Sequence, residues 1–278
     1  MKTFLVVAVV LLVVMACSST TINTRVFPQS ATVEVPAIPV TGPDGFNGCG
    51  GTLVPPTNDA YEQAVVEQTN QIRMDAGLGP LKRVDGLNNS ARYHAADMSV
   101  DNYFNHNTMN VSMGQQVEVC DTWNRIESFY TDWQALAENI AAGQRVPEMA
   151  IDGWMNSPDH RHNILSDSYW EIGVGFFEGA GEYRYYWVQN FGRTGGRYPL
   201  IINGEKARTD SSEVSVYIYG NWQAMRLRVD SGEWSDWMPF QREFAWSLPP
   251  TAGNHTVTAE LRGLTGQATS EDSIVLGQ

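Results

Sequence analysis

Ile172-Gly173-Val174-Gly175-Phe176-Phe177, the turn Gly179-Ala180-Gly181-Glu182 and the run from Tyr183 to Gly192 decide the fold class. Ile172, Val174 and Phe176 alternate with Gly173, Gly175 and Phe177, the period of a strand with one apolar face. The small residues between them predict that another element packs closely there. Upstream the period is helical. Asn58 or Asp59 can cap a helix running to about Ala76, with Ala64, Val65, Gln68, Thr69 and Ile72 on one stripe. Gly77 and Gly79-Pro80 stop it. A second helix is expected from Asp85 to about Phe104, with Leu87, Ala91, His94, Ala95 and Met98 inward. A third is expected over Trp123 to Leu136, with Ile126, Phe129, Tyr130 and Trp133 inward. A fourth begins at Pro147, a favoured first helical position. Helices followed by strands predict an α+β fold rather than a doubly wound sheet.

Downstream of Gly195-Gly196 only short alternating segments remain. Val214, Val216 and Ile218 form one, Met225, Leu227 and Val229 another, and Phe244, Trp246 and Leu248 a third. Val257, Ala259 and Leu261 follow, then Ile274 and Leu276. Turn residues separate them, the pattern of an all-β sandwich. The boundary is expected near Tyr198, giving a first domain over 58–197 and a separate β-sandwich over 198–278. Trp222, Trp234, Trp237 and Trp246 read as core-packing and strand-pairing residues, or as a sugar-binding stripe.

The start of the chain reads as an address. Lys2 precedes the apolar run Phe4 to Val14, which is too short to span a bilayer but suits a secretory leader. Val14-Met15-Ala16-Cys17 resembles a bacterial lipobox, which implies a signal peptide over 1–16 and an acylated Cys17. An ordinary cleaved leader is the alternative. Residues 17–57 hold six of the thirteen prolines and read as a semi-rigid tether. The expected location is extracytoplasmic, at the envelope or surface through a lipid anchor, or secreted without one. There, Cys49 and Cys120 are expected either to pair or to stay as separate buried thiols. With 18 Lys and Arg against 31 Asp and Glu, net −13, the chain is a poor partner for nucleic acid.

Five histidines carry the candidate chemistry. His94 sits on an apolar helical face and reads as a core residue, and His255 as a solvated turn residue. His106 ends Tyr103-Phe104-Asn105-His106, while His160 and His162 flank Arg161 after Ser157-Pro158-Asp159. With Glu138, His106 and His160 would make a catalytic-zinc type of ligand set. The spacing itself is not diagnostic, because no HExxH is present. No GxSxG elbow is present either, and Ser157 next to His160 lacks an orienting acid.

Ordered blocks then point to a family. His94-Ala95-Ala96-Asp97-Met98 and Tyr103-Phe104-Asn105-His106 come first, and Ala137-Glu138-Asn139-Ile140-Ala141 is the next block. Trp154-Met155-Asn156-Ser157-Pro158-Asp159-His160-Arg161-His162-Asn163-Ile164-Leu165 comes after it. Ile172-Gly173-Val174-Gly175 and Tyr186-Trp187-Val188-Gln189-Asn190-Phe191-Gly192 close the series. Residues 58–193 resemble the SCP domain of the CAP superfamily, in its bacterial form. The resemblance implies a three-layer α-β-α sandwich with a groove and a tetrad of two His and two acids, which binds zinc in some members. His106, Glu138 and His160 match three of the four. The second acid falls at Ser157, so the set is incomplete. Ser157, Asp159, His162 and Asn139 are further groove candidates, and Asn139 and Asn163 read equally as loop staples. The C-terminal segment more loosely resembles immunoglobulin-like modules of bacterial surface proteins, on Ile202-Asn203-Gly204 and Trp234-Ser235-Asp236-Trp237 among others.

These readings predict a binding protein whose groove takes a lipid, peptide or surface-protein ligand, with zinc or another divalent metal at the His/Glu cluster as an option. A metal-dependent hydrolase of peptides or envelope material is the second reading, and a non-catalytic adhesin the third.

Overall fold

The computed structural model describes residues 48–277. The leader, Cys17 and most of the tether lie outside them. Helix α1, Asp59–Asp75, begins where Asn58 caps the amide of Tyr61. Strand β1 is Lys82–Arg83 and helix α2 is Asp85–Val100. A hairpin of β2, Thr108–Ser112, and β3, Gln115–Cys120, comes after α2; the sequence pattern did not announce it. Helix α3 is Thr122–Glu127, capped by Asp121.

The expected third helix is therefore wrong in its second half. The chain turns at Asp132, whose φ is +59°, and residues Trp133–Ala142 form strand β4. Phe129 and Tyr130 continue the helical spacing but serve the turn. Tyr130 is buried, with its hydroxyl on Glu171 and Thr194. Helices α4, Pro147–Asn156, and α5, Pro158–Ile164, come next, then β5, Glu171–Glu178, and β6, Tyr185–Thr194. Antiparallel pairing with β6, from Trp133 opposite Thr194 to Ala142 opposite Tyr186, decides the extended conformation of β4.

The sheet order is β1-β5-β6-β4, with β1 parallel to β5 and the other pairs antiparallel. One face meets α1, α4 and α5 through Val65, Val66, Ile151, Trp154, Ile172 and Trp187. The other meets α2 through Ala91, Ala95, Met98, Ile140 and Val188. The glycines of β5 explain the second contact. A Cβ on Gly173 would lie 2.1 Å from the carbonyl carbon of Leu87, and one on Gly175 2.3 Å from that of Ala91. Helix α2 thus lies directly on the strand.

The described end of the tether is held on this body. Cys49 and Cys120 are disulfide-bonded with Cα atoms 5.1 Å apart, and Val54 is buried with Tyr93 and Ala96.

The C-terminal part is built of strands alone among the described residues. They are β7 Leu200–Ile202, β8 Arg208–Thr209, β9 Glu213–Ile218 and β10 Ala224–Val229. Strands β11 Met238–Pro239, β12 Glu243–Ser247, β13 Gly253–Arg262 and β14 Gln267–Leu276 complete it. They form sheets β11-β10-β13-β14-β8 and β12-β9-β7 around one apolar core that includes Leu200, Val216, Leu227, Val257 and Leu261. Trp222 and Trp246 pack against that core. Trp234 and Trp237 are not core residues. They alternate with cations, Arg226 over both rings at 4.8 and 4.9 Å, Arg228 over Trp234 and Arg262 over Trp237. His255, expected in solvent, is buried between Asp230 and the Thr251 carbonyl.

The two parts share a seam. Lys82 pairs with Glu205 at 2.8 Å and with Asp272, Asn70 donates to the Gly204 carbonyl, and Tyr219 donates to the Pro80 carbonyl. Trp170 stacks on Tyr219 at 4.7 Å.

Candidate functional site

Strand β4 is the free edge of its sheet, and the site is built around that edge. The residues of β4 alternate between faces. Glu138 and Ile140 look toward α2, while Ala137, Asn139 and Ala141 look toward α1. His106, in the loop after α2, meets Glu138 with Nδ1 at 2.9 Å from Oε1. Its loop is pinned because the His106 carbonyl accepts from Thr122 Oγ1 at 2.8 Å and from Arg125 Nη1 at 2.7 Å.

Arg125, on α3, was not anticipated. It is fully buried, and its Nη2 donates to Glu138 Oε2. Burial, the largest single influence, would raise the Glu138 carboxyl, but the Arg125 guanidinium and the hydrogen bond from His106 together outweigh it. The result is a carboxylate held down at about 2. With the carboxylate on Nδ1, a neutral His106 carries its proton there and leaves Nε2 as an acceptor.

His160 comes from α5 on the other side of the edge. It lines the same cavity as His106, about 710 Å³, with Phe104, Ile140, Trp154 and Ser157. Burial, and then the neighbouring His106, lower its pKa, so it stays neutral at physiological pH. Phe104 and Tyr183 stand at the rim with ring centroids 6.0 Å apart. A second depression of about 440 Å³ lies on the far side of His106, lined by Glu138, Trp123 and Asn163.

The remaining candidates divide. Ser157 lines the cavity and its side chain caps neither flanking helix. Asp159 and His162 are exposed and line no part of it. Asn139 is buried and acts as a staple. It donates to the His160 carbonyl at 3.2 Å and to Gln189 at 3.1 Å, and accepts from Asn163 at 2.9 Å. Trp154 donates its indole N–H to the Ile140 carbonyl, and Asn163 reaches the Glu138 carbonyl at 3.4 Å. Side chains thus occupy carbonyls on the free edge of β4.

As placed, these side chains do not fit a metal ion. Among the described residues no three His, Cys, Asp or Glu side chains converge on one point. Both Glu138 oxygens are engaged, one by a buried cation that would repel a second.

Behind the site lies a polar network. His94 is buried, its Nε2 is 2.9 Å from the Asn105 carbonyl, and burial holds it down at about 3. Tyr103 donates to Asp97, whose carboxyl burial pushes up to about 8. At neutral pH the pair is an uncharged imidazole and an uncharged acid.

Residues 66–191 match the model of CAP, the cysteine-rich secretory protein family. This CAP segment begins within α1, ends within β6 and contains every groove and ligand-set candidate discussed above. The uncharacterized protein YkwD of Bacillus subtilis is 38% identical over 140 residues, half of this chain and half of its own length. The uncharacterized membrane protein YlbC of the same organism is 32% identical over 130 residues, 47% of this chain and 34% of its own. The chain therefore spans half or less of the curated relatives it matches. An extracellular protein containing a SCP domain from Bacillus anthracis superposes with a TM-score of 0.43 at 28% identity, over 50% of this chain and 42% of its own.

Proposed function

We propose that the CAP segment is a ligand-binding module that works outside the cytoplasm without a resident metal. The observation that carries this reading is Glu138 held between Arg125 and His106 beside an apolar cavity. The carboxylate orients His106 instead of offering itself to an ion. Two imidazoles then face a wall of Ile140, Trp154 and Phe104, which suits an amphiphile. Its apolar part would lie on the rings and its hydroxyl or amide would bond to His106 or His160. The side chains covering β4 carbonyls disfavour capture of a peptide as an added strand.

The rest of the chain fits that role. A leader over 1–16, an acylated Cys17 and a tether would hold the module at an envelope. An immunoglobulin-like domain from about Tyr198 would present it. Hydrolysis is less well supported. His106 has the orienting carboxylate of a general base, but Ser157 has no hydrogen bond to it among the described residues.

The test is titration of the full chain with a fluorescent long-chain alcohol in the presence of EDTA. Saturable binding, weakened at least tenfold by Phe104→Asp, at an exposed ring of the cavity, and by His106→Ala/His160→Ala with folding intact, is the expected result. Binding that appears only after zinc is added would replace this reading with a metal-dependent one.

A further inference from the structure

The seam between the CAP segment and the C-terminal sheets encloses a cleft of about 1080 Å³. Its walls are fixed by the Lys82–Glu205 ion pair and by the bonds of Asn70 to Gly204 and Tyr219 to Pro80, so the cleft is preformed. We infer that this cleft is a second binding site, and that it takes a carboxylate-bearing oligosaccharide.

Size is the first argument. Pockets for single small molecules run to about 1,000 Å³, so this one has room for several sugar rings. The lining is the second. Tyr198, Tyr217 and Trp222 line it, and so do Trp170 and Tyr219, which stack on each other at 4.7 Å. Only Leu78 and Leu264 bring aliphatic side chains. A peptide needs apolar slots for its side chains. A sugar offers C–H faces to rings and hydroxyls to the amides of Asn221, Gln223 and Gln267, which also line the cleft.

Charge is the third argument. The chain carries net −13, yet Arg73, Arg193 and Arg242 line the cleft against Asp167 alone. Arg73 is spent on the carbonyls of Gly79, Ile164 and Ser166. The other two are not. Arg193 lies over the Trp170 ring at 3.8 Å, and its Nε is buried without a hydrogen-bond partner. Arg242 is exposed and bonded only to the Gly220 carbonyl, at 3.4 Å. Neither forms an ion pair among the described residues. Planar forks left open in this way match carboxylates in a bidentate manner.

The experiment titrates the full chain with tetragalacturonic acid, its methyl ester and tetraglutamate, read by calorimetry. The acid is expected to bind saturably, and the ester at least tenfold more weakly. Arg193→Gln/Arg242→Gln should lose at least tenfold, and the exposed single variant Arg242→Gln, which touches no core, at least threefold. Arg208→Gln and His106→Ala should bind as the wild type does, which separates this site from the groove. The inference is overturned if the folded wild type does not bind the acid, or if the arginine variants bind it unchanged. It also fails if the ester binds equally well, or if tetraglutamate binds as tightly as the saccharide.

Discussion

One arginine in the first part of the chain and a group of three in the second are set in different surroundings. Arg125 in the CAP segment is fully buried, and its charge is answered by a carboxylate that it holds ionised. Arg226, Arg228 and Arg262 in the C-terminal part lie on the faces of Trp234 and Trp237 near solvent. The close approach of elements differs as well. In the CAP segment a helix backbone rests on strand glycines, whereas Gly266 in the C-terminal part has nothing within 4 Å of where a Cβ would stand. The first part has committed its polar groups to one geometry, which is what a site needs. The second holds its cations on ring faces, with Arg226 also paired to Glu260 at 2.6 Å.

Glycine substitution breaks this contrast most severely. Gly173→Ala places a methyl group against the α2 backbone, which cannot give way as a flexible side chain can. The expected loss exceeds about 3 kcal/mol. Gly266→Ala should stay within about 0.5 kcal/mol. Chemical denaturation of the two variants side by side checks the difference.

Next in size are the cations. Arg125→Met leaves the Glu138 carboxylate buried without its partner and should cost about 3–5 kcal/mol. Arg125→Met/Glu138→Leu should recover part of that loss. Arg228→Gln removes one cation from the face of Trp234 and should cost about 1 kcal/mol or less. Equal costs for Arg125→Met and Arg228→Gln would dissolve the contrast.

A smaller effect belongs to Asp97 and His94. Asp97 has a raised pKa of about 8, and His94 a lowered one of about 3. Between about pH 4 and 6.5 the unfolded pair holds its proton on the imidazole and the folded pair on the carboxyl. The proton count is then equal, and stability is flat. Above 6.5 the unfolded pair loses its last proton while folded Asp97 keeps one, so stability falls as pH rises toward 8. The expected fall is about 2 kcal/mol, and Asp97→Asn should remove it. Stability of the two proteins measured at pH 6 and pH 8 checks the sign.

Much of the fold was legible, for reasons visible in particular residues. The hairpin around Gly179 could be read because Ile172, Val174 and Phe176 keep a strict period of two. The close packing of α2 was signalled by Gly173 and Gly175. The reading failed at Trp123 to Leu136, where Phe129 and Tyr130 extend a helical spacing that the turn at Asp132 breaks. That error hid more. With β4 read as a strand, alternation would have separated Glu138 from Asn139 and marked Asn139 as a staple on the opposite face. Arg125 carried no signal, since its partner lies 13 residues away across a turn and no period connects them. Arg226 and Arg228 did carry one, because they alternate with Met225 and Leu227 on the outer face of β10, beside two tryptophans that needed a partner.

The central claim is that Glu138 serves Arg125 and His106 rather than a metal. Zinc calorimetry on the folded full chain, wild type against His106→Ala/His160→Ala, tests it most directly. The account predicts no saturable heat from either protein at zinc concentrations up to about tenfold over protein, beyond weak surface binding common to both. Saturable one-to-one binding by the wild type that is lost in the double variant would contradict it.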